Sequence, residues 1–214
     1  MPIPAVPCLR SLGVAALLAT LAACGPAQPP PAAAALLTKE HAAARTVVPL
    51  TRPVALDKAG RVAEVEFELP PPDQGATTTL MLGLRVQADT AKAMLATKDL
   101  ITAGDLPARL HLQRIEGAAA TDVALMRTER NLRDDVPVGP DGQVPFTTTQ
   151  GADSAMLIGA GLFDPDVVYG ALNFAHVPNA APGRYRLTVD LTADRPDLHG
   201  RDAELLVGYS KASK

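Results

Sequence analysis

The sequence predicts a mainly β protein, an antiparallel β-sandwich of immunoglobulin-like or jelly-roll type with one or two short helices. Three observations carry that expectation. Apolar and polar residues alternate with a period of two in segment after segment beyond residue 46. The segments are divided by short turns rich in Pro, Gly and Asp, which gives seven to nine strand candidates. The regular strand-helix-strand alternation that a parallel sheet needs is missing.

Arg61 to Leu69 is the clearest strand: Ala63, Val65, Phe67 and Leu69 alternate with Glu64, Glu66 and Glu68, so carboxylates take one face and apolar groups the other. Asp57-Lys58-Ala59-Gly60 reads as a turn, which predicts that Val54 to Leu56 pairs back on this strand. Pro70-Pro71-Pro72 ends it. Thr78 to Ala88 repeats the pattern, with Leu80, Leu82, Leu84, Val86 and Ala88 inward and Arg85 and Gln87 outward. Asp89 is placed to cap a helix over Thr90 to Ala96 or beyond, whose Met94, Leu95 and Ile101 would cover one end of the sheet. Ala108 to Ile115 sets Leu110 and Leu112 opposite Arg109, His111 and Gln113, and Thr121 to Thr128 is its expected partner across the turn Gly117 to Ala120.

Ala155 to Leu162 is apolar and punctuated by Gly159 and Gly161, which predicts a buried strand with a bulge. Val167 to Val177 is apolar on both faces, as a central strand should be. Pro182-Gly183 turns into Arg184 to Leu191, with Tyr185, Leu187, Val189 and Leu191 inward. A tyrosine entering a strand just after a turn suits the tyrosine corner of Greek-key sandwiches. The loop Asp194 to Asp202 then leads to the last strand, Ala203 to Tyr209.

Glu129 to Gln150 is the least regular part of the domain. Its Gly139-Pro140-Asp141-Gly142 turn lies between Val138 and Val144, which predicts a small protruding hairpin. Long ordered loops in compact domains are more often functional than short ones. This segment and the loop Asp194 to Asp202 therefore supply the candidate partner-binding residues: Arg130, Arg133, Asp134, Asp135 and Asp141 from the first, Arg195, Asp197 and His199 from the second.

Upstream of the domain, Arg10 is the only charged side chain before Cys24, and it precedes the apolar run Leu12 to Ala23. That is the order of a secretory signal peptide, and the run is shorter than the ~20 residues a membrane-spanning helix requires. Leu21-Ala22-Ala23-Cys24 resembles the bacterial lipobox; the resemblance implies cleavage before Cys24 and lipidation of that residue. Gly25 rather than an aspartate follows, so the resemblance also implies the outer membrane, periplasmic face. The expected organisation is a signal peptide over 1–23, a lipidated cysteine and Pro/Ala-rich linker over 24–45, the sandwich over 46–210 and a tail over 211–214. Within the linker, Pro29-Pro30-Pro31 favours an extended spacer; Leu36 to Arg45 reads either as a short helix capped by Thr38 or as more linker.

Removal of the first 23 residues leaves 191, with 19 basic and 23 acidic side chains. A chain of that balance lacks the basic surface expected of a nucleic-acid partner. Cys8 and Cys24 are its only cysteines, so the mature chain has neither an internal disulfide nor a cysteine-bound metal. His41, His111, His176 and His199 are scattered without metal-ligand spacing, and the pairs Asp134-Asp135 and Asp164/Asp166 match no calcium loop. There is no Gly-x-Ser-x-Gly elbow, and Gly159-Ala160-Gly161 lacks the third glycine of a dinucleotide fingerprint. No metal, cofactor or catalytic residue is expected. With no tryptophan and 3% aromatic residues, stacking platforms for sugars are scarce as well.

The ending Pro182-Gly183-Arg184-Tyr185-Arg186-Leu187-Thr188-Val189, with Asp194-Arg195-Pro196-Asp197-Leu198-His199-Gly200 and Glu204-Leu205-Leu206-Val207, resembles the C-terminal signature of a proteobacterial lipoprotein domain family. The resemblance implies a β-sandwich without assigned catalysis. Some envelope lipoproteins of this layout protect their owners by binding secreted antibacterial effectors in the periplasm. The expected function is thus a membrane-anchored, non-catalytic protein-binding module, an immunity protein against a secreted toxin. A structural or assembly lipoprotein of the envelope is the second reading, and a hydrolase whose site is assembled only in three dimensions the third.

Overall fold

The computed structural model describes residues 34–71 and 78–210. The expected signal peptide, Cys24, the linker up to residue 33, Pro72 and the tail lie outside the described residues. In chain order the strands are β1 (Leu50–Pro53), β2 (Gly60–Leu69), β3 (Leu80–Ala88), β4 (Ala108–Glu116), β5 (Ala119–Asp122), β6 (Met126–Thr128), β7 (Asp135–Pro137), β8 (Gln143–Val144), β9 (Thr148–Thr149), β10 (Val168–Val177), β11 (Gly183–Leu191) and β12 (Ala203–Tyr209). They form two antiparallel sheets. The larger runs β1-β12-β3-β10-β6-β7, with β9 also on β10; the smaller runs β2-β11-β4-β5, with β8 also on β4.

The alternation of period two is what closes the sandwich. Val65, Phe67 and Leu69 of β2, Tyr185, Leu187 and Val189 of β11, and Leu110 and Leu112 of β4 face Leu82, Leu84 and Val86 of β3 and Leu205 and Val207 of β12 in one buried core. At the entry to β11 the Tyr185 hydroxyl donates to the carbonyl of Ala181 at 2.6 Å, while its ring stacks on Phe67 with centroids 5.7 Å apart. The expected tyrosine corner therefore has its hydrogen bond, four residues back. β10 is central, paired with β3 on one side and with β6 and β9 on the other.

Among the described residues there are three α-helices, one more than the upper expectation: α1 (Lys39–Ala44), α2 (Ala91–Ala103) and α3 (Ser154–Gly159). Thr38, Thr90 and Asp153 cap them by accepting from the backbone N–H of His41, Ala93 and Ala155. Thr90 thus takes the role expected of Asp89, and α2 runs on to Ala103, burying Ile101 while Leu95 stays 48% exposed.

Several expected pairings are corrected. Ala155 to Leu162 is no buried strand: an apolar run this short carries no decisive period, and the Asp153 cap turns it into α3, which seats Leu157 against Met81 and Leu206. That second, smaller core covers the outer face of β3, so Arg85, expected outside, is buried. Val54 to Leu56 does not return to β2; β1 pairs with β12, and the amide of Val54 donates to Ala203. Thr121 to Thr128 is split, β5 staying on β4 while β6 crosses to the other sheet. Val138 and Val144 do not flank a hairpin either, because β7 pairs with β6 and β8 with β4. The hairpin that does form is β6-β7.

Candidate protein-binding surface

The tip of the β6-β7 hairpin is built around one asparagine. The Asn131 side-chain oxygen accepts from the amides of Arg133 and Asp134 at 2.9 and 3.2 Å, and its amide nitrogen donates to the Asp134 carboxylate at 2.6 Å. Backbone bonds from Glu129 to Asp134 and from Leu132 to Glu129 close the turn. The result holds Leu132 at φ 56° with its side chain 57% exposed. For a branched L-residue the left-handed region costs about 1–2 kcal/mol. Residues held so cluster where a protein binds or reacts.

The tip is braced from below. Arg130 stacks its guanidinium 4.1 Å from the centroid of Phe146 and pairs with Asp105 at 2.6 Å. Arg127 lies 5.4 Å over the same ring and pairs with Glu129 at 2.8 Å. At the hairpin base Asp135 accepts from the Thr128 hydroxyl at 2.8 Å and faces the buried His176, whose Nε2 is 3.3 Å away.

Asp105 is also where the second expected loop arrives. Arg195 donates to the carbonyls of Asp105 and Leu100 and pairs with Asp197 at 2.7 Å, which draws the Asp197 carboxyl below its ordinary pKa. Beside this junction an open groove runs along α2, lined by Ala96, Leu100, Ala103 and Asp197.

No family model matches the chain. No curated protein matches it either. A crystal structure of a protein from Sulfurospirillum deleyianum aligns over 77% of this chain and 98% of its own, at 12% identity and a TM-score of 0.45.

Of the residues singled out in the sequence, Arg130, Arg133, Asp134 and Asp135 share the hairpin. The Arg133 side chain has no partner among the described residues and is exposed. Arg195 is corrected: it is 9% exposed and spends its donors inside the fold, tying the loop to α2. His199 is exposed and its Nδ1 lies 2.9 Å from Asp57, whose pKa that bond lowers. Asp141 belongs to another part of the surface, beside Arg109 and His111 over the smaller sheet. Leu132 and its support Asn131 escape a reading of the sequence; their only signal, an Asn-Leu step between two arginines, has no period to flag it.

A second concavity of about 230 Å³ lies between the segment leading into α1 and the outer face of the larger sheet. Its floor is Arg85, which gives three donors to Glu204 and the Leu162 carbonyl and stacks 4.3 Å over Tyr169. Arg85 is thus paired with Glu204, while Lys39, Asp89, Asp164 and Asp202 also line the cavity. Among the described residues no three His, Cys, Asp or Glu side chains are grouped to hold a metal ion.

Proposed function

We propose that the chain is a lipid-anchored protein of the outer membrane's periplasmic face, and that it binds another protein, without catalysis, through the tip of the β6-β7 hairpin. The observation that supports this reading most is Leu132. A large apolar side chain is held out to solvent in a backbone conformation that costs energy, flanked by Arg133 and braced by Arg130. Arginine is enriched among the few residues that dominate binding energy, and Arg133 stands next to Leu132 with its side chain unpartnered among the described residues. In the immunity role, the partner is a secreted antibacterial effector neutralised on arrival.

The test uses the full chain expressed in its envelope, with a photo-crosslinking side chain at position 133. One stoichiometric partner is expected in the adduct, and Leu132→Asp should weaken its capture by a factor of about 30 or more, the loss of one hot spot. Capture with undiminished affinity by Leu132→Asp refutes the assignment. Separately, Cys24→Ser should release a folded protein from the membrane fraction; retention in that fraction removes the anchor.

A further inference from the structure

We infer that the free edge of β2 is a further docking surface, which takes an extended, basic segment of another protein as an added strand of the smaller sheet. Four strands end the two sheets: β1 and β7 in the larger, β2 and β5 in the smaller. An exposed edge invites pairing with a foreign strand, and proteins blunt their edges against it. Three are blunted here. β1 carries Pro53, and its Arg52 donates to α1 at the carbonyl of Ala42. β7 has three residues and ends on Pro137, and β5 has four. β2 has ten residues and no proline.

The chain already lays one strand on this edge. Val47 lies parallel to Glu68, whose amide donates to the carbonyl of Thr46 at 2.8 Å and whose carbonyl accepts from the amide of Val48 at 3.0 Å. The backbone groups of Glu68 therefore point away from β11. In an antiparallel ladder that direction recurs at every second residue, and the pairing of β2 with β11 is unbroken from Leu69 to Ala63. The N–H and C=O of Glu66 and Glu64 thus point the same way. The segment 46–48 does not reach them. At Arg45 the chain turns off, its amide donating to Ala42 and its carbonyl accepting from Arg52. Among the described residues no strand takes the groups at Glu64 and Glu66.

The side chains say what the edge takes. Main-chain bonds give an added strand its affinity and alternate side chains its specificity. Glu64, Glu66 and Glu68 form one row, and Arg184 and Arg186 of β11 hold Glu66 from the inner side. A strand added on the open side sets its own row against the same carboxylates. Glu64 is 58% exposed, and Glu68 has no side-chain partner among the described residues. Opposite charges across strands stabilise a pair and like charges directly opposite oppose it. Lysine or arginine at alternate positions therefore fits. A second copy of the chain does not, because antiparallel pairing of two β2 edges through these groups sets Glu64 against Glu66.

The test titrates the full chain with a synthetic peptide that alternates lysine with valine. A strand uses one of its two edges, so N-methylation of one alternate set of peptide amides should weaken binding at least tenfold while methylation of the other set changes it less than twofold. A peptide with glutamate in place of lysine should bind at least tenfold more weakly. Glu64→Pro removes an outward donor without breaking a ladder bond, a place where an edge strand admits proline, and should cost at least tenfold. Should Glu64→Pro fail to fold, Glu64→Lys with Glu68→Lys replaces it and should turn the preference toward the glutamate peptide. No binding, equal effects of the two methylated sets, or indifference to peptide charge and to these variants overturns the inference. Leu132→Asp should leave the affinity unchanged; its loss in that variant would assign the peptide to the hairpin tip and overturn the inference as well. Self-association abolished by Glu64→Pro would give the edge to a second copy, with the same result.

Discussion

Arg85 is the residue on which the outer layer of the larger sheet depends. It is 5% exposed, and its Nη2 lies 2.5 Å from Glu204 on the neighbouring β12. A buried pair of this kind adds little over a packed apolar pair, yet removing one partner strands the other and costs about 3–5 kcal/mol. Arg85→Met should therefore lower the urea midpoint sharply, and Arg85→Met with Glu204→Leu should recover most of the loss. Equal destabilisation by the single and the double variant would show that packing on Tyr169, not charge, sets the value. The alternation in Thr78 to Ala88 puts Arg85 on the outer face of β3, and it is there. What a period of two leaves unsaid is whether that face meets water or a second layer. Leu132 is hidden for a related reason: its importance lies in a φ angle fixed by the Asn131 side chain, which no spacing of apolar residues encodes.

At the scale of elements, the strands with long, clean alternation are legible: β2, β4, β11 and β12 lie where their patterns put them, and the two apolar faces of Val167 to Val177 correctly mark β10 as central. The stretch 123–150 is not. It crosses from sheet to sheet and contributes single apolar plugs such as Leu125, Val144 and Phe146, each buried without a periodic neighbour. The β3-β10 pairing shows how closely two elements are fitted. The register slips between Asn173 and Ala175, and Gly83 faces the slip; a Cβ there would overlap the Leu172 carbonyl. Backbone cannot yield as a side chain can. Gly83→Ala should cost at least about 1–3 kcal/mol, the usual penalty of overpacking, seen as a lower denaturant midpoint at unchanged m-value.

Across the whole molecule, carboxylates at and just below the surface are tied by side-chain hydrogen bonds between strands and loops. Arg186 and Arg184 hold the Glu66 carboxyl below its ordinary pKa, the amide of Gln113 and then His111 do so for Asp122, and His199 does so for Asp57. A depressed folded-state pKa means that the unfolded chain takes up protons first as pH falls. The stabilisation is thus fully present above the ordinary carboxylate range, about pH 4, and is lost as pH drops through the lower, folded values. Melting temperature should hold steady from neutral to about pH 5 and fall below pH 4. Glu66→Gln should flatten that acid limb and converge with the parent at the lowest pH; an unchanged limb would remove Glu66 from the account.

The position of β12 has a consequence for how the chain acquires its structure. The strand formed by residues 203–209 lies between β1 and β3, with Leu50 opposite Val207 and Leu84 opposite Leu205. Non-local pairings of this kind fold slowly, because a long loop must close before any contact rewards it. Until residues 203–209 are in place, β1 has no strand of the sheet to pair with and β3 has one bare edge. The larger sheet, and with it the core, therefore cannot close until this strand is in place.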